Sequence, residues 1–394
     1  MSQRNLWPHF CEGNAIALLE GGAAYFPALG AAIDAARQEV LLETYIFADD
    51  AVGRAIAAAL RRAAARGVSV HLLVDGFGCR AFVRTRMQAL RDAGVNVLVY
   101  RRELQPFALR RHRLRRLHRK LAVIDRRVAF VGGINLVDDH NTDLPTYPRH
   151  DYAVRVEGPL LRPLHSSARH LWELVSWASL KRRARLPDAP LPLGVPAGEM
   201  CAALVIRDNL RHRRDIENAY LDALAQARHE VIIANAYFLP GRRFRQALMA
   251  AAARGVRVTL LVQGQVEYAL QHFATQALYP ALLNAGVRVF EYRRSFLHAK
   301  VAVIDTAWAT VGSSNIDPFS LLLAREANVV VRDAGFAAQL RTRLLAAIDR
   351  GAIELRIAQW RIRSPLARAL HWLAYGLVRV AVGLVGYGRG HDPL

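Results

Sequence analysis

LHRKLAVIDRRVAFVGGIN, at residues 117–135, is the stretch that decides the fold, because a close copy, LHAKVAVIDTAWATVGSSN, occupies residues 297–315. Eleven of the nineteen positions are identical. The polar positions keep one spacing in both copies: His118, Lys120, Asp125, Gly132 and Asn135, then His298, Lys300, Asp305, Gly312 and Asn315. A period of 180 residues is far longer than that of a stacked solenoid, so the repeat indicates a duplicated domain.

Matching segments extend the duplication upstream of the motif. EVLLETYIF, RRAAARGVSVHLLVDG and LRDAGVNVLVYR in the first half correspond to EVIIANAYF, MAAAARGVRVTLLVQG and LLNAGVRVFEYR in the second, at residues 39–47, 61–76, 90–101, 230–238, 249–264 and 282–293. We therefore predict a first half at residues 1–180, a Pro-rich linker at 181–198, a second half at 199–355 and a C-terminal tail at 356–394.

Short apolar runs alternate with Ala-rich helical segments in the first half. Strands are predicted at residues 15–19, 39–47, 68–74 and 95–100, and helices at 26–37, 52–66 and 84–93. This alternation predicts an α/β fold in which parallel strands are joined by right-handed crossovers. Two such halves, packed about a pseudo-two-fold axis, would share one active site.

The chain is strongly basic, with a net charge of +21. Such a protein is expected to bind polyanions, either nucleic acid or an anionic membrane, although a coding bias toward Arg would also raise the charge. Only three of the 54 basic residues are lysines, at positions 120, 181 and 300, and two of these lie in the repeated motif. Those two positions therefore require a compact ammonium group.

The three cysteines are widely separated and lack metal-type spacing, which favours a reducing compartment over a disulfide framework or a zinc site. No cleavable signal is expected at the N-terminus, since Glu12 and Glu20 interrupt it.

The repeated motif supplies phosphate-binding chemistry. His118 and Lys120 are two residues apart on a predicted strand and share one face, as do His298 and Lys300. A Gly turn can return Asn135 and Asn315 to the same place. The expected pocket has two imidazoles, two ammonium groups and two amides, which suit a phosphodiester: the lysines and amides neutralise its oxygens, and the imidazoles act as nucleophile and general acid. No carboxylate cage for a metal is evident, so neither a metal nor a cofactor is expected.

Acidic residues near the motif have two predicted roles. Asp151 and Glu326 each begin a Val-rich strand after a motif, which makes them candidates to orient the histidines; surface acids at strand ends are the alternative. Asp125 and Asp305 belong to the motif and are therefore grouped with the catalytic residues. We interpret their role as structural, because they can hold the turn by hydrogen bonds.

The paired H-x-K-x4-D-x6-G-[GS]-x-N pattern resembles that of the phospholipase D superfamily. Residues from about 12 to 333 are similar to the shorter bacterial cardiolipin synthases, through EGNAIALLEGG, ETYIF, LHRK, DYAVRVEGP, HEVIIANAYFLPG and VGSSNIDPFSL. The resemblance implies phospholipase D-type α/β sandwich halves, with His118 and His298 as the catalytic pair. Lys120, Lys300, Asn135, Asn315 and the Ser313 hydroxyl would bind phosphate, and Asp151 and Glu326 would lie behind the histidines. Gly133 replaces Ser313 in the first half.

The same resemblance implies phosphatidyl transfer to phosphatidylglycerol through a phosphatidyl-histidine, with phosphatidylglycerol or phosphatidylethanolamine as donor. We expect an anionic phospholipid membrane as partner, no nucleic acid, and a peripheral location on the cytoplasmic face of the bacterial inner membrane. A lipid-hydrolysing phospholipase D, a nuclease of the superfamily and a non-enzymatic binder are the alternatives. The oligomeric state is left open.

Two segments outside the repeat are predicted to reach the membrane. Residues 110–120, RRHRLRRLHRK, form a basic-apolar segment, or else a solvated loop. Residues 366–387 contain Arg368, His371 and Arg379, and so fit a helix lying in the interface, with Trp372, Tyr375 and Tyr387 near the headgroups, better than a membrane-spanning helix. A helix covering the domain core is the alternative.

Overall fold

A computed structural model describes residues 8–101, 115–142, 147–179, 186, 194–208, 211–266, 268–318, 320, 323–358 and 365–386, the last range with side chains only at 369–380. Most of the predicted linker at 181–198, and residues 110–114 of the basic-apolar segment, lie outside these ranges. Tyr387 and the Arg368 side chain do as well.

The described elements follow the duplicated pattern. The strands are β1 Cys11–Glu20, β2 Glu39–Thr44, β3 Ser69–Asp75, β4 Asn96–Tyr100, β5 Leu121–Ile124, β6 Val128–Gly132, β7 Tyr152–Glu157, β8 Met200–Arg207, β9 Glu230–Asn235, β10 Arg257–Gln263, β11 Arg288–Tyr292, β12 Lys300–Ile304, β13 Trp308–Gly312, β14 Glu326–Arg332 and β15 Ala352–Leu355. The helices are α1 Gly21–Ala35, α2 Ala51–Ala65, α3 Arg80–Thr85, α4 Met87–Asp92, α5 Leu161–Ala178, α6 Asp215–Gln226, α7 Arg242–Ala253, α8 Ala269–Gln276, α9 Tyr279–Asn284, α10 Ala334–Gly351 and α11 Pro365–Gly386.

The strands form one mixed sheet in the order β15-β11-β10-β9-β12-β13-β14-β8-β1-β7-β6-β5-β2-β3-β4. The helix-connected strands β2, β3 and β4 are parallel, as are β9, β10 and β11. The motif strands break this pattern, because β5 and β6 pair antiparallel, as do β12 and β13. A turn of a few residues cannot make the crossover that parallel strands need, so the prediction of parallel strands was correct only upstream of the motifs.

The two halves meet at the antiparallel β1–β8 pair in the middle of the sheet. One cluster of buried residues runs through both halves and contains α5 and α10. A second cluster packs α1–α4 on the outer face of the first half, and a third packs α6–α9 and α11 on the outer face of the second. The predicted α/β architecture of two homologous halves is confirmed.

Most predicted elements of the first half are present with shifted ends. The predicted strand at residues 39–47 ends at Thr44, and the predicted helix at 84–93 is the pair α3 and α4. Gly67 and Gly94 follow their helices with φ values of 84° and 86°, in the left-handed region that glycine adopts at helix ends.

The C-terminal helix α11 has one buried and one exposed face. His371, Ala374, Tyr375 and Val378 are buried against the second half, whereas Trp372 is 56% exposed. The expectation that Tyr375 faces lipid headgroups was wrong, because the helical repeat puts it on the buried side. None of the helices in the described ranges is both long enough and apolar enough to cross a membrane.

The motif acids hold the chain before the parallel strands. The Asp125 carboxylate accepts hydrogen bonds from the backbone N–H groups of Arg37, Gln38 and Glu39 at 2.8, 2.8 and 2.9 Å. Asp305 repeats this contact with residues 228–230 at 2.8 to 2.9 Å. Burial would raise the pKa of Asp305, but these backbone donors outweigh it and lower the pKa.

Each motif acid comes five residues after the motif lysine, at the opposite end of the strand between them. At 3.3 Å per residue, the acid and the lysine are roughly 16 Å apart. Their φ values, 49° and 52°, lie in the left-handed region. The structure therefore does not bring Asp125 and Asp305 to the histidines, and we interpret them as structural residues.

We expect Asp125→Ala to lower the free energy of unfolding by about 2 kcal/mol, because three backbone donors lose a charged acceptor. Urea unfolding of the variant measures this. Asp34→Ala is the control: its pair with Arg62 is exposed to solvent, so its loss should change the free energy of unfolding much less. Loss of activity at unchanged stability would contradict the structural role.

Candidate active site

Each motif histidine is held by the backbone of the opposite half. The His118 N–H donates to the Arg325 carbonyl at 3.0 Å, and the Arg325 N–H donates to the Arg116 carbonyl at 2.8 Å. In the mirrored contact, the His298 N–H donates to the His150 carbonyl at 2.8 Å. These bonds place each histidine directly beside the acid that follows in the other half.

Each histidine contacts an acid that belongs to the other half. His118 Nδ1 lies 3.0 Å from Glu326 Oε1, and His298 Nδ1 lies 2.6 Å from Asp151 Oδ2. The structure thus brings together the four residues expected from the sequence. Their pairing could not be inferred from spacing, because each acid follows the motif of its own half but serves the histidine of the other. Neither half contains a complete histidine–acid pair.

Ser313 contacts the acid of one of these pairs. Its hydroxyl donates to Glu326 Oε2 at 2.5 Å and accepts from the Ala327 N–H at 3.0 Å. Ser313 therefore positions Glu326, and its expected contact with phosphate stays a prediction. A Cβ added at Gly133 would lie 2.3 Å from an oxygen of Asp151, so the shorter acid is paired with glycine and the longer one with serine.

Both motif lysines are buried beside the histidines. The Lys120 ammonium donates to the His118 carbonyl at 2.7 Å, and Lys300 makes the same contact with His298. Burial lowers the pKa of Lys120 to about 7; Glu326 opposes this shift and Lys300 adds to it. An anion between the two ammonium groups would favour their charged forms.

Burial of the site favours neutral imidazoles. Burial lowers the pKa of His118, and Glu326 opposes the shift. Burial and Lys300 lower the pKa of His298 well below its ordinary value, while burial raises the pKa of Asp151 to about 6, opposed by Lys300. A neutral imidazole beside a carboxylate donates through Nδ1, which leaves the Nε2 lone pair available for reaction.

The two asparagines differ in their contacts. Asn135 Oδ1 accepts from the Ile46 N–H at 3.1 Å, which leaves its amide nitrogen as a donor. Asn315 Nδ2 contacts Ser320 Oγ at 3.5 Å, and its Oδ1 has no hydrogen-bond partner among the described residues. The preceding glycines allow these turns: a Cβ at Gly132 would lie 2.5 Å from Ala153 Cα.

Sequence reasoning assigned no role to Tyr45. Its ring centroid lies 4.9 Å from that of His118 and 5.4 Å from the Lys120 ammonium. The sequence did contain a signal for this residue, which is a difference between the halves at the end of the repeated strand. ETYIF has Tyr45 where ANAYF has Ala236. The two sides of the pocket therefore differ.

A buried ion pair supports the first motif from behind. Arg119, between His118 and Lys120, donates to Glu43 Oε1 at 2.8 Å and to Ser167 Oγ at 2.9 Å. The corresponding residues of the second half are Ala299 and Ala234, so this support is confined to one half. Across the described ranges, no group of three or more His, Cys, Asp or Glu side chains is placed to hold a metal ion.

Comparisons with known proteins agree with this geometry. Residues 29–159 and 220–347 match the family model described as "Cardiolipin synthase, PLD-like domain". The chain is 41% identical to cardiolipin synthase B of Escherichia coli K12, over 97% of this chain and 92% of that protein. It is 34% identical to a cardiolipin synthase A of Pseudomonas putida KT2440, over 83% of this chain and 66% of that protein.

A solved phosphatidylserine synthase from Haemophilus influenzae has the same fold, with a TM-score of 0.64 and 13% identity over 94% of both chains. The predicted resemblance is confirmed. With its two matched domains and a close relative along nearly its whole length, this chain is an enzyme of the phospholipase D superfamily and belongs to the cardiolipin synthase family.

Proposed function

We propose that this enzyme transfers a phosphatidyl group to a glycerol hydroxyl of phosphatidylglycerol and so makes cardiolipin. The observation that carries the proposal is the pair of crossed histidine–acid contacts, at 3.0 and 2.6 Å, around two buried lysines. Such a site can hold a phosphodiester between two imidazoles. The 41% identity to cardiolipin synthase B of Escherichia coli supports this choice among the reactions of the superfamily.

In the first step, His118 Nε2 attacks the phosphorus of the donor lipid and the bond to its headgroup alcohol breaks. His298 donates a proton to the departing oxygen. A bound phosphodiester anion favours the charged imidazolium form of His298, and Asp151 stabilises that form from 2.6 Å. The product is a phosphatidyl-histidine and a free alcohol, which is glycerol when phosphatidylglycerol is the donor.

In the second step, the same His298, now neutral, accepts the proton of a phosphatidylglycerol hydroxyl as that oxygen attacks phosphorus from the side opposite His118. The P–N bond breaks, and both histidines return to their starting states. Lys120, Lys300 and Asn135 supply the positive charge and the donor that stabilise the phosphoryl oxygens in both transition states.

The helices α8 and α11 provide the surface that we assign to membrane contact. Along α11, Leu370, Leu373, Leu377 and Val380 share one face and are more than half exposed. Next to this face, Phe273 of α8 stacks on His371 at 5.7 Å between ring centroids. The apolar face would lie in the headgroup region of an anionic bilayer, which attracts a chain of charge +21, on the cytoplasmic side of the inner membrane.

A lipid-hydrolysing phospholipase D would use the same residues, and the difference lies in whether water or a lipid hydroxyl attacks the intermediate. The exposed apolar face favours a lipid substrate over the nucleic acid of a nuclease. A non-enzymatic binder would not need the paired histidines.

We expect His118→Gln and His298→Gln each to lower cardiolipin formation by at least about 10³-fold, because each removes a reacting group. The measurement is lipid product analysis on phosphatidylglycerol vesicles. Phosphatidic acid as the main product of the unmodified enzyme would identify a hydrolase, and full activity of His118→Gln would contradict the mechanism. Phosphate trapped on residue 298 would reverse the two histidine roles.

We expect kcat/KM to be bell-shaped in pH. Activity should fall as the pH drops through about 6, where Asp151 gains a proton and stops stabilising His298, and as it rises through about 7, where Lys120 loses its charge. Lys120→Arg should lose the alkaline limb, because a guanidinium stays charged. Steady-state rates on vesicles between pH 5 and pH 9 test this, and an unchanged alkaline limb in Lys120→Arg would rule out Lys120 as its source.

A further inference from the structure

A small cavity opens beside the second motif, at the ends of β9 and β10 and against α8. The cavity is small, with room for about two or three water-sized groups. Its polar lining includes Gln263, Gln265, Gln271, Thr275 and Tyr268. His272 also lines the cavity, and its Nε2 accepts from Gln276 Nε2 at 2.8 Å, as a neutral imidazole does. None of the described lining residues is Asp, Glu, Lys or Arg, so the cavity suits an uncharged polar group.

One wall of the cavity is hydrogen-bonded to the second motif. The N–H of Ala236, one of its walls, donates to the carbonyl of Ala299 at 2.9 Å, between His298 and Lys300. The matching position of the first half is Tyr45, whose ring packs 4.9 Å from His118. A methyl group thus replaces a phenol ring, and the second half keeps space that the first half fills.

Gln263 gives this cavity an unused hydrogen-bond donor. Its side chain is 7% exposed, and its Nε2 has no hydrogen-bond partner among the described residues. The Oε1 atom already accepts from the Gln265 N–H at 3.3 Å. A buried donor without a partner is unfavourable, so an acceptor supplied by a ligand is the expected complement.

The first half shows that this position need not carry a free donor. Its counterpart of Gln263 is Asp75, whose carboxylate accepts from the backbone N–H groups of Leu117, Phe77 and Gly78 at 2.8, 2.8 and 3.1 Å. Asp75 is fully engaged in holding local backbone. The same place in the second half instead presents an amide to a cavity.

We infer that the cavity receives the secondary hydroxyl of a glycerol headgroup, that of the departing glycerol in the first step and that of the attacking phosphatidylglycerol in the second. Gln263 Nε2 donates to a hydroxyl oxygen of the glycerol, and the attacking hydroxyl lies on the side of His298. The inference rests on the proposed function and extends it to headgroup selection. A hydroxyl oxygen of glycerol accepts this hydrogen bond, whereas the ammonium group of ethanolamine can only donate. The described lining residues include no carboxylate that would pair with that ammonium.

The test uses the full chain on phosphatidylglycerol vesicles with labelled free glycerol as the probe. The phosphatidyl-histidine partitions between glycerol, which returns labelled phosphatidylglycerol, and water, which gives phosphatidic acid. We expect Gln263→Met, of similar volume but without a donor, to lower the ratio of glycerol transfer to water transfer about tenfold. Ala236→Tyr, which fills the cavity, should lower the same ratio.

Gln226→Met is the matched control, since Gln226 is exposed at the end of α6 and should leave the ratio unchanged. A wild-type ratio in both Gln263→Met and Ala236→Tyr would overturn the subsite, as would equal transfer to labelled ethanolamine and to glycerol in the unmodified enzyme. Failure of the unmodified enzyme to form any cardiolipin would instead overturn the proposed function. Thermal unfolding of each variant separates a changed ratio from a failure to fold.

Discussion

The site depends on one constraint, which is that each catalytic histidine is oriented by a carboxylate from the opposite half. Glu326 lies behind His118 and Asp151 behind His298, so docking of the halves and assembly of the reacting groups are one event. A half by itself would leave its histidine without an orienting acid. The shared core around α5 and α10 and the central β1–β8 pair hold the halves in the register that these contacts need.

The duplicated frame carries two unequal sides. The first half pairs Gly133 with Asp151, whereas the second pairs Ser313 with the longer Glu326. Tyr45 packs against His118, whereas Ala236 leaves a cavity near His298. A transfer reaction needs such a difference, because one imidazole must form a covalent bond while the other handles the proton of an exchanging alcohol. The side with space suits the alcohol.

The repeated motif was sufficient to predict the duplicated α/β fold and the pairing of a histidine with a lysine in each half, because motif spacing indicates which groups a strand and a turn bring together. It could not predict the crossed pairing, which depends on how the halves dock. The contact of the Ser313 hydroxyl with Glu326 was not predicted, because the direction of the hydroxyl depends on a residue 13 positions away. Tyr45 and Gln263 were overlooked for a related reason: their roles emerge only when each is compared with its counterpart in three dimensions.

The choice of lysine in an arginine-rich chain follows from the burial of the site. Lys120 and Lys300 are 2% and 0% exposed, and each ammonium fits beneath the carbonyl of its histidine. A guanidinium is larger and cannot lose its proton, so it would keep its full charge whether or not an anion is bound. The Lys120 ammonium can yield its proton near pH 7 and regain it when an anion arrives. The charge on Lys120 is thereby coupled to the binding of the phosphodiester. The lysine is then charged when the phosphodiester is bound, as the reaction requires.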